Sequence, residues 1–189
     1  GALALGFLAL VWAIFRRPLP QIKGEQSVAG LDAAVEIVRD RWGVPHLYAD
    51  SEHDVWFAQG YVHAQDRLFQ MEYARRLARG TMAEAFGVAA LEADRWSRVL
   101  GFWRATLGDL TQLTAADRAV LEAYAAGVNA YVESRRYRLP AEFAIVGLKP
   151  DPWRPEDTLG VLKVLAWALS QNWEGEILRL QLLHALGPE

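Results

Sequence analysis

Cysteine is absent from the 189 residues. That excludes disulfides, thiolate nucleophiles and thiolate metal sites, and it leaves the compartment open. Histidine is scarce. His46, His53, His63 and His184 never fall at the His-x-x-x-His spacing that sets two ligands on one helix face, so a helical zinc site is excluded. No serine lies in a Gly-x-Ser-x-Gly elbow; Ser27, Ser51, Ser97, Ser134 and Ser170 sit in linker, cap or helix-end contexts. Gly-rich phosphate loops are missing. Asp50-Ser51-Glu52-His53-Asp54 opens like a calcium loop, but Val55 stands where the loop needs glycine and Tyr61 where it needs a bidentate Glu. Excess charge of either sign is lacking too: the net charge is -3 and the pI near 5.9. With no basic stripe and no aromatic RNA-binding pattern, nucleic acid is excluded as a partner. Internal repeats and low-complexity segments are absent.

The composition is that of a chain with a core. Hydrophobic residues make up 52% and tryptophan contributes eight, which argues against disorder. The length fits one domain, or two small ones. Residues 1–17 form an apolar segment, GALALGFLALVWAIF, ending at Arg16-Arg17. A bilayer span needs about 20 apolar residues, and this run is shorter. Since the chain begins at Gly1, we expect residues upstream. Three readings stay open: a signal remnant, the end of a membrane anchor (residues 1–15), or a buried core helix. Either of the first two implies an extracytoplasmic protein whose mature part begins near Pro18–Ile22. Residues 18–33, with Pro18, Pro20, Gly24 and Gly30, read as a linker. Residues 34–189 form the helical domain.

Within that domain the pattern predicts a mostly α fold with one small N-terminal β-hairpin. Val35, Ile37 and Arg39, then Val44, His46 and Tyr48, alternate on either side of a turn at Trp42-Gly43. Such a hairpin is marginal alone and must pack on helices or extend another sheet. Ser51 with Asp54 caps a long helix that stops at Gly80, with apolar residues on more than one face. Thr114 with Asp117 starts a second helix to about Ser134. Pro155, followed by Glu156 and Asp157, starts a third to about Ser170, and a last one spans roughly Trp173 to Leu186, ended by Gly187-Pro188. Leu139-Pro140 and Gly147 to Pro150 read as loops.

Polar residues on these helices read first as structural. Asp66 and Arg67 lie mid-helix and point about 100° apart, so both are expected as buried charges that find partners off their own helix. Glu72 with Arg75 and Arg76 reads as a partly solvated helix pair, and Gly60 as a point of close packing. Glu176, near a helix start with Arg179 three residues on, is expected there for the helix dipole alone.

A resemblance adds to this reading. Gly43-Val44-Pro45-His46, with Tyr48-Ala49, is similar to the Gly-Val-Pro-His strand of the penicillin acylase family. Gly60-Tyr61-Val62-x-Ala64-Gln65-Asp66-Arg67-Leu68-Phe69-Gln70-Met71-Glu72 resembles that family's long helix almost letter for letter. Arg76, Gly80, Ala83-Glu84 and Gly87 continue the match, as do Trp153, Pro155 and Asp157. It covers roughly residues 33–187.

The resemblance implies the α chain of an αββα N-terminal-nucleophile amidohydrolase, made as a precursor cut into this chain and a longer β chain. The heterodimer's nucleophile would be the serine at the β-chain N-terminus, so no catalytic residue is expected here, and the hairpin strands would complete a β-chain sheet. The end at Gly187-Pro188-Glu189 is about where an α chain would stop. By position Glu176 matches the α-chain carboxylate that shares a structural calcium ion with β-chain ligands. Ala166, Leu169 and Ser170 fall where aromatic-acyl members line the acyl pocket with Met, Arg and Phe. That departure implies a roomier apolar pocket suited to longer aliphatic acyl groups. The expected substrates are N-acyl amides of the β-lactam, acyl-homoserine lactone or acyl-peptide type. The rival reading is a non-catalytic, membrane-anchored helical module that binds a protein partner through exposed aromatics.

Overall fold

The computed structural model describes residues 1–135, 138–170 and 172–187, with the backbone alone at residues 2, 3, 8, 10 and 14. Pro188, expected to help stop the last helix, lies outside the described residues. The order is α1 (Ala2–Val11), continued by a π-helical turn (Trp12–Arg16), then β1 (Glu36–Arg39), β2 (Pro45–Tyr48) and α2 (Glu52–Arg79). Next come α3 (Ala83–Phe86), α4 (Leu91–Leu100), α5 (Phe102–Leu110) and α6 (Ala115–Ser134). The chain continues through α7 (Ala141–Val146), α8 (Pro155–Leu169) and α9 (Trp173–Leu186). The fold is mostly helical with one antiparallel hairpin, as the pattern predicts.

Local chemistry accounts for most boundaries. Ser51 accepts the Asp54 N–H at 3.1 Å to open α2. Gly80 closes it at φ 67°, a left-handed conformation that costs glycine nothing. Thr114 and Asp117 form a reciprocal capping box at α6, and Pro155 occupies the first turn of α8. Two helical stretches are not drawn by the apolar pattern. The Asp94–Arg104 region falls within α4 and α5, and the short α7 lies between the expected loops at Leu139-Pro140 and Gly147 to Pro150.

The core forms where α2 crosses α6. Tyr61, Ala64 and Leu68 of α2 pack on Ala125, Val128 and Tyr131 of α6, and Phe143 and Trp153 close the cluster. Gly60 and Gly127 let the two backbones meet. A Cβ on Gly60 would overlap the Tyr124 carbonyl oxygen, and one on Gly127 would overlap that of Phe57. The close packing expected at Gly60 is therefore reciprocal.

The hairpin turn holds Gly43 at φ 80°, and Asp40 Oδ1 accepts the N–H groups of Trp42 at 2.8 Å and Val44 at 2.9 Å. Val38 pairs with His46 and Glu36 with Tyr48. The row Val44, His46 and Tyr48 faces outward, and Pro45 and Leu47 are the half-buried residues of β2. Ile37 and Val38, on opposite faces of β1, are both exposed. Neither face of the hairpin is fully covered within this chain.

One sequence expectation holds in part, since Asp66 is half-buried rather than buried, and two need correction. Asp66 does find a partner off its helix: Arg39 of β1 grips it through two bonds of 2.9 Å and also reaches Gln65 Oε1 at 2.7 Å. That fork ties the hairpin to α2. Arg67 is exposed rather than buried, and it sits where α2 kinks (φ -143°, ψ 27°). The α1 segment is not a core helix: Leu5, Phe7, Trp12 and Phe15 are all exposed. No helix among the described residues is long and apolar enough to cross a membrane.

The 18–33 segment is extended but fastened. Asp54, wholly buried, accepts the N–H groups of Asp32 and Ala33 at 2.9 and 3.0 Å, and Tyr61 donates to Gln26 at 2.9 Å. These N–H bonds, chiefly that of Asp32, hold the Asp54 carboxyl below its ordinary value against the opposing effect of burial. Between this segment, β1 and α2 lies a cavity of about 820 Å³.

Candidate functional site

Glu72, Arg75, Arg76 and Arg79 project from the last turns of α2 toward the start of α8. Glu72 is 3% exposed and Arg75 2%. This is no partly solvated pair, as spacing suggested, but a buried ion network. Glu72 pairs with the Arg75 guanidinium and with Arg76 Nε at 2.7 Å. Arg75 continues to Asp157 Oδ2 at 3.5 Å and donates to the Asp151 and Pro152 carbonyls at 3.0 and 3.2 Å. Arg79 reaches Asp157 Oδ1 at 2.6 Å, and Arg76 reaches Glu84 at 3.0 Å. Three cations and three carboxylates balance, and Trp153 and Trp103 lie against Arg75 and Arg79. Charges this deep are tolerable only when every one is paired.

The network fixes the base of α8. Asp157 also accepts the Arg154 N–H at 2.9 Å, and Asn129 of α6 clamps the Trp153 backbone through bonds of 2.7 and 2.8 Å. Gly160 lets the helix lie against Ala78. Past that point burial thins, although Val161 still packs on the core and the Trp167 ring lies against Phe102 of α5. Leu162, Leu165 and Trp167 are exposed, and Leu169 is 80% exposed.

Ala166, Leu169 and Ser170 stand together on this tip, at i, i+3 and i+4, which places them on one face. All three are exposed, and the Ser170 hydroxyl turns back to the Ala166 carbonyl at 2.5 Å. The structure thus sets the three residues side by side on an exposed helix face, and they line neither cavity described for this chain. Glu176 follows in the first turn of α9. It is exposed and pairs with Arg179 at 3.2 Å, as its spacing suggested. No residue of α9 is buried, and Trp173, Leu180 and Leu186 face outward.

Sequence reasoning passed over two groups that the structure makes prominent. His63 Nδ1 lies 2.9 Å from the Tyr124 hydroxyl across the α2–α6 crossing. Burial lowers the His63 pKa, with Asp66 pulling the other way, and pushes the Tyr124 phenol up to about 12. Asp32, His53 and Asp54 bring three donor atoms close together, the one such group among the described residues. Both Asp54 oxygens already accept backbone bonds, which accounts for its place there.

The model of the penicillin amidase family matches residues 34–189. The penicillin acylase 2 proenzyme of a Pseudomonas species is 43% identical over 155 residues, covering 82% of this chain and 20% of that protein. An acyl-homoserine lactone acylase, QuiP, of Pseudomonas aeruginosa is 39% identical over 171 residues, covering 90% of this chain and 20% of its own length. The chain therefore spans about a fifth of the curated relatives it matches. A solved thermostable penicillin G acylase of Alcaligenes faecalis superposes with a TM-score of 0.67 at 32% identity, covering 82% of this chain and 85% of the solved one.

Proposed function

The chain belongs to the penicillin amidase family, and on that premise we propose that it is the non-nucleophilic α subunit of an acylase that hydrolyses N-acyl amides. The observation that carries this reading is the unfinished core at the end of the chain. An apolar α8 tip and an α9 with no buried residue are costly to leave in water and suit a surface completed by a second polypeptide. The match to most of one solved acylase chain, against a fifth of the full-length relatives, supports the same division into two chains.

In this reading a β-chain N-terminal serine attacks the amide carbonyl, its own α-amine takes the proton, and β-chain donors hold the oxyanion. This chain's part is positioning. Ala166, Leu169 and Ser170 form one wall of the acyl site, and their small or aliphatic side chains leave length for an aliphatic acyl group. Glu176 fits a shared calcium site as a single hard oxygen donor whose ligand partners lie on the β chain. The ion would brace the interface and take no part in the chemistry. The hairpin, open on both faces, would complete a β-chain sheet. The exposed apolar segment before Pro18 fits an extracytoplasmic, membrane-tethered protein.

Denaturing intact-mass analysis of the protein made from its complete gene, with N-terminal sequencing of each chain, tests the division. A larger companion chain beginning with serine supports it, and this chain found alone overturns it. The wall is tested by Ser170→Phe, which should slow long-chain acyl amides at least tenfold more than short ones; tenfold lies within the range of about 1–3 kcal/mol by which an apolar pocket discriminates a single methylene. Equal loss on both would remove Ser170 from the acyl site.

A further inference from the structure

A second cavity, about 440 Å³, lies where the exposed apolar segment meets the body. Ala13, Arg17 and Pro18 form one side; α7 and its flanking loops, with Arg138, Phe143 and Lys149, form the other. Arg135 fixes the joint by donating to the Pro18 and Leu19 carbonyls, both at 2.7 Å.

The chemistry of this cavity is unusual for the molecule. Arg17, Arg138 and Lys149 converge on it, and none is in an ion pair with a described residue, although the chain as a whole is acidic. Its floor is apolar, built on Phe143 and Leu148. Above it rise α1 and the π turn, with Leu5, Phe7, Trp12 and Phe15 exposed, and Ile145 of α7 is 71% exposed beside it. Residues 2–16 rise about 22 Å, which exceeds the ~15 Å of hydrocarbon in one leaflet. A free phosphate would satisfy the cations and leave the apolar surface wet. An anion that carries its own acyl chains satisfies both.

We infer that this cavity seats the headgroup of an anionic phospholipid, with the lipid tails lying along α1. The body would then sit on the bilayer with α7 toward it. The inference rests on the membrane-tether reading and not on the acylase reading, which amide hydrolysis in vesicle-free buffer tests separately.

The test uses protein made from its complete gene and sedimented with vesicles of phosphatidylcholine alone or mixed with phosphatidylglycerol. Phosphatidylglycerol should strengthen binding, and salt should erode that gain. The double variant Arg138→Gln/Lys149→Gln should lose about 25-fold of the gain, roughly fivefold for each charge at the surface. The charge-keeping variant Arg138→Lys/Lys149→Arg should keep it, which separates lost charge from damaged folding. Wild-type preference for phosphatidylglycerol in the double Gln variant would overturn the site while leaving the tether. Failure to bind either vesicle would overturn both. Displacement of the vesicles by inorganic phosphate at constant ionic strength would mark a soluble-anion site instead and overturn the lipid assignment.

Discussion

Removing the Glu72 carboxylate would leave Arg75 and Arg76 side by side where water hardly reaches. Breaking a buried pair from one side costs about 3–5 kcal/mol, because the surviving charge keeps its desolvation penalty. Glu72→Gln, which keeps the shape, should therefore lower the unfolding free energy, extrapolated from denaturant titration, by that amount; a loss typical of surface pairs, below about 1 kcal/mol, would contradict the buried network. His63 gives a pH-dependent counterpart. Its folded pKa lies below 6.5, so the unfolded chain takes the proton first. Stability is then complete above about pH 6.5 and falls as the pH drops toward the folded value. Thermal unfolding followed across that range should show the fall in the parent and a flatter curve in His63→Gln. Asp54, whose pKa is lowered, contributes in a separate and more acidic window: its share is present above the ordinary carboxylate value of 3.8 and is lost below it.

At the level of elements, the α2–α6 crossing depends on the absence of two side chains. Gly60→Ala must push the helices apart or distort one of them, since the obstacle is a backbone carbonyl and not a flexible tip. The expected cost is about 3 kcal/mol or more. A Gly60→Ala protein as stable as its parent would mean that the helices cross at a wider separation. Legibility followed locality here. Ser51, Gly80, Thr114 and Pro155 could be placed from sequence because a cap is decided within a few residues. The burial of Glu72 could not, because the network closes through Asp157, far along the chain, and spacing on α2 reveals only the near partners. Arg67 misled for a related reason: helix periodicity assumes a straight helix, and α2 breaks its geometry at that residue. The short α7 has one buried side chain, Phe143, too few to write a periodic pattern.

For the whole molecule, the uneven distribution of burial is the main fact. The core around Tyr61, Val128 and Trp153 is closed, whereas the hairpin, the α8 tip and α9 offer apolar side chains to water. Expressed alone, the chain should aggregate or need detergent, and co-expression with the rest of its precursor should restore a soluble species. A well-behaved monomer that unfolds cooperatively by light scattering and calorimetry would count against the two-chain reading. The candidate acyl wall came from the family resemblance alone: it picks out Ala166, Leu169 and Ser170 by position, and the structure adds that they share one exposed helix face.

The contrast between the two ends of α8 has a mechanical side. The helix is clamped at Asp157, steadied along its length by α5 through the Phe102–Trp167 and Lys163–Asp109 contacts, and exposed at its last turn to Ser170. From Asp157 to Ala166 it rises about 14 Å, so a tilt of about 4° at the clamp swings the tip by about 1 Å. A displacement of that size can cost a positioned reaction about a hundredfold. If the tip forms the acyl wall, its aim is set by the stiffness of a charge cluster that never meets the acyl group.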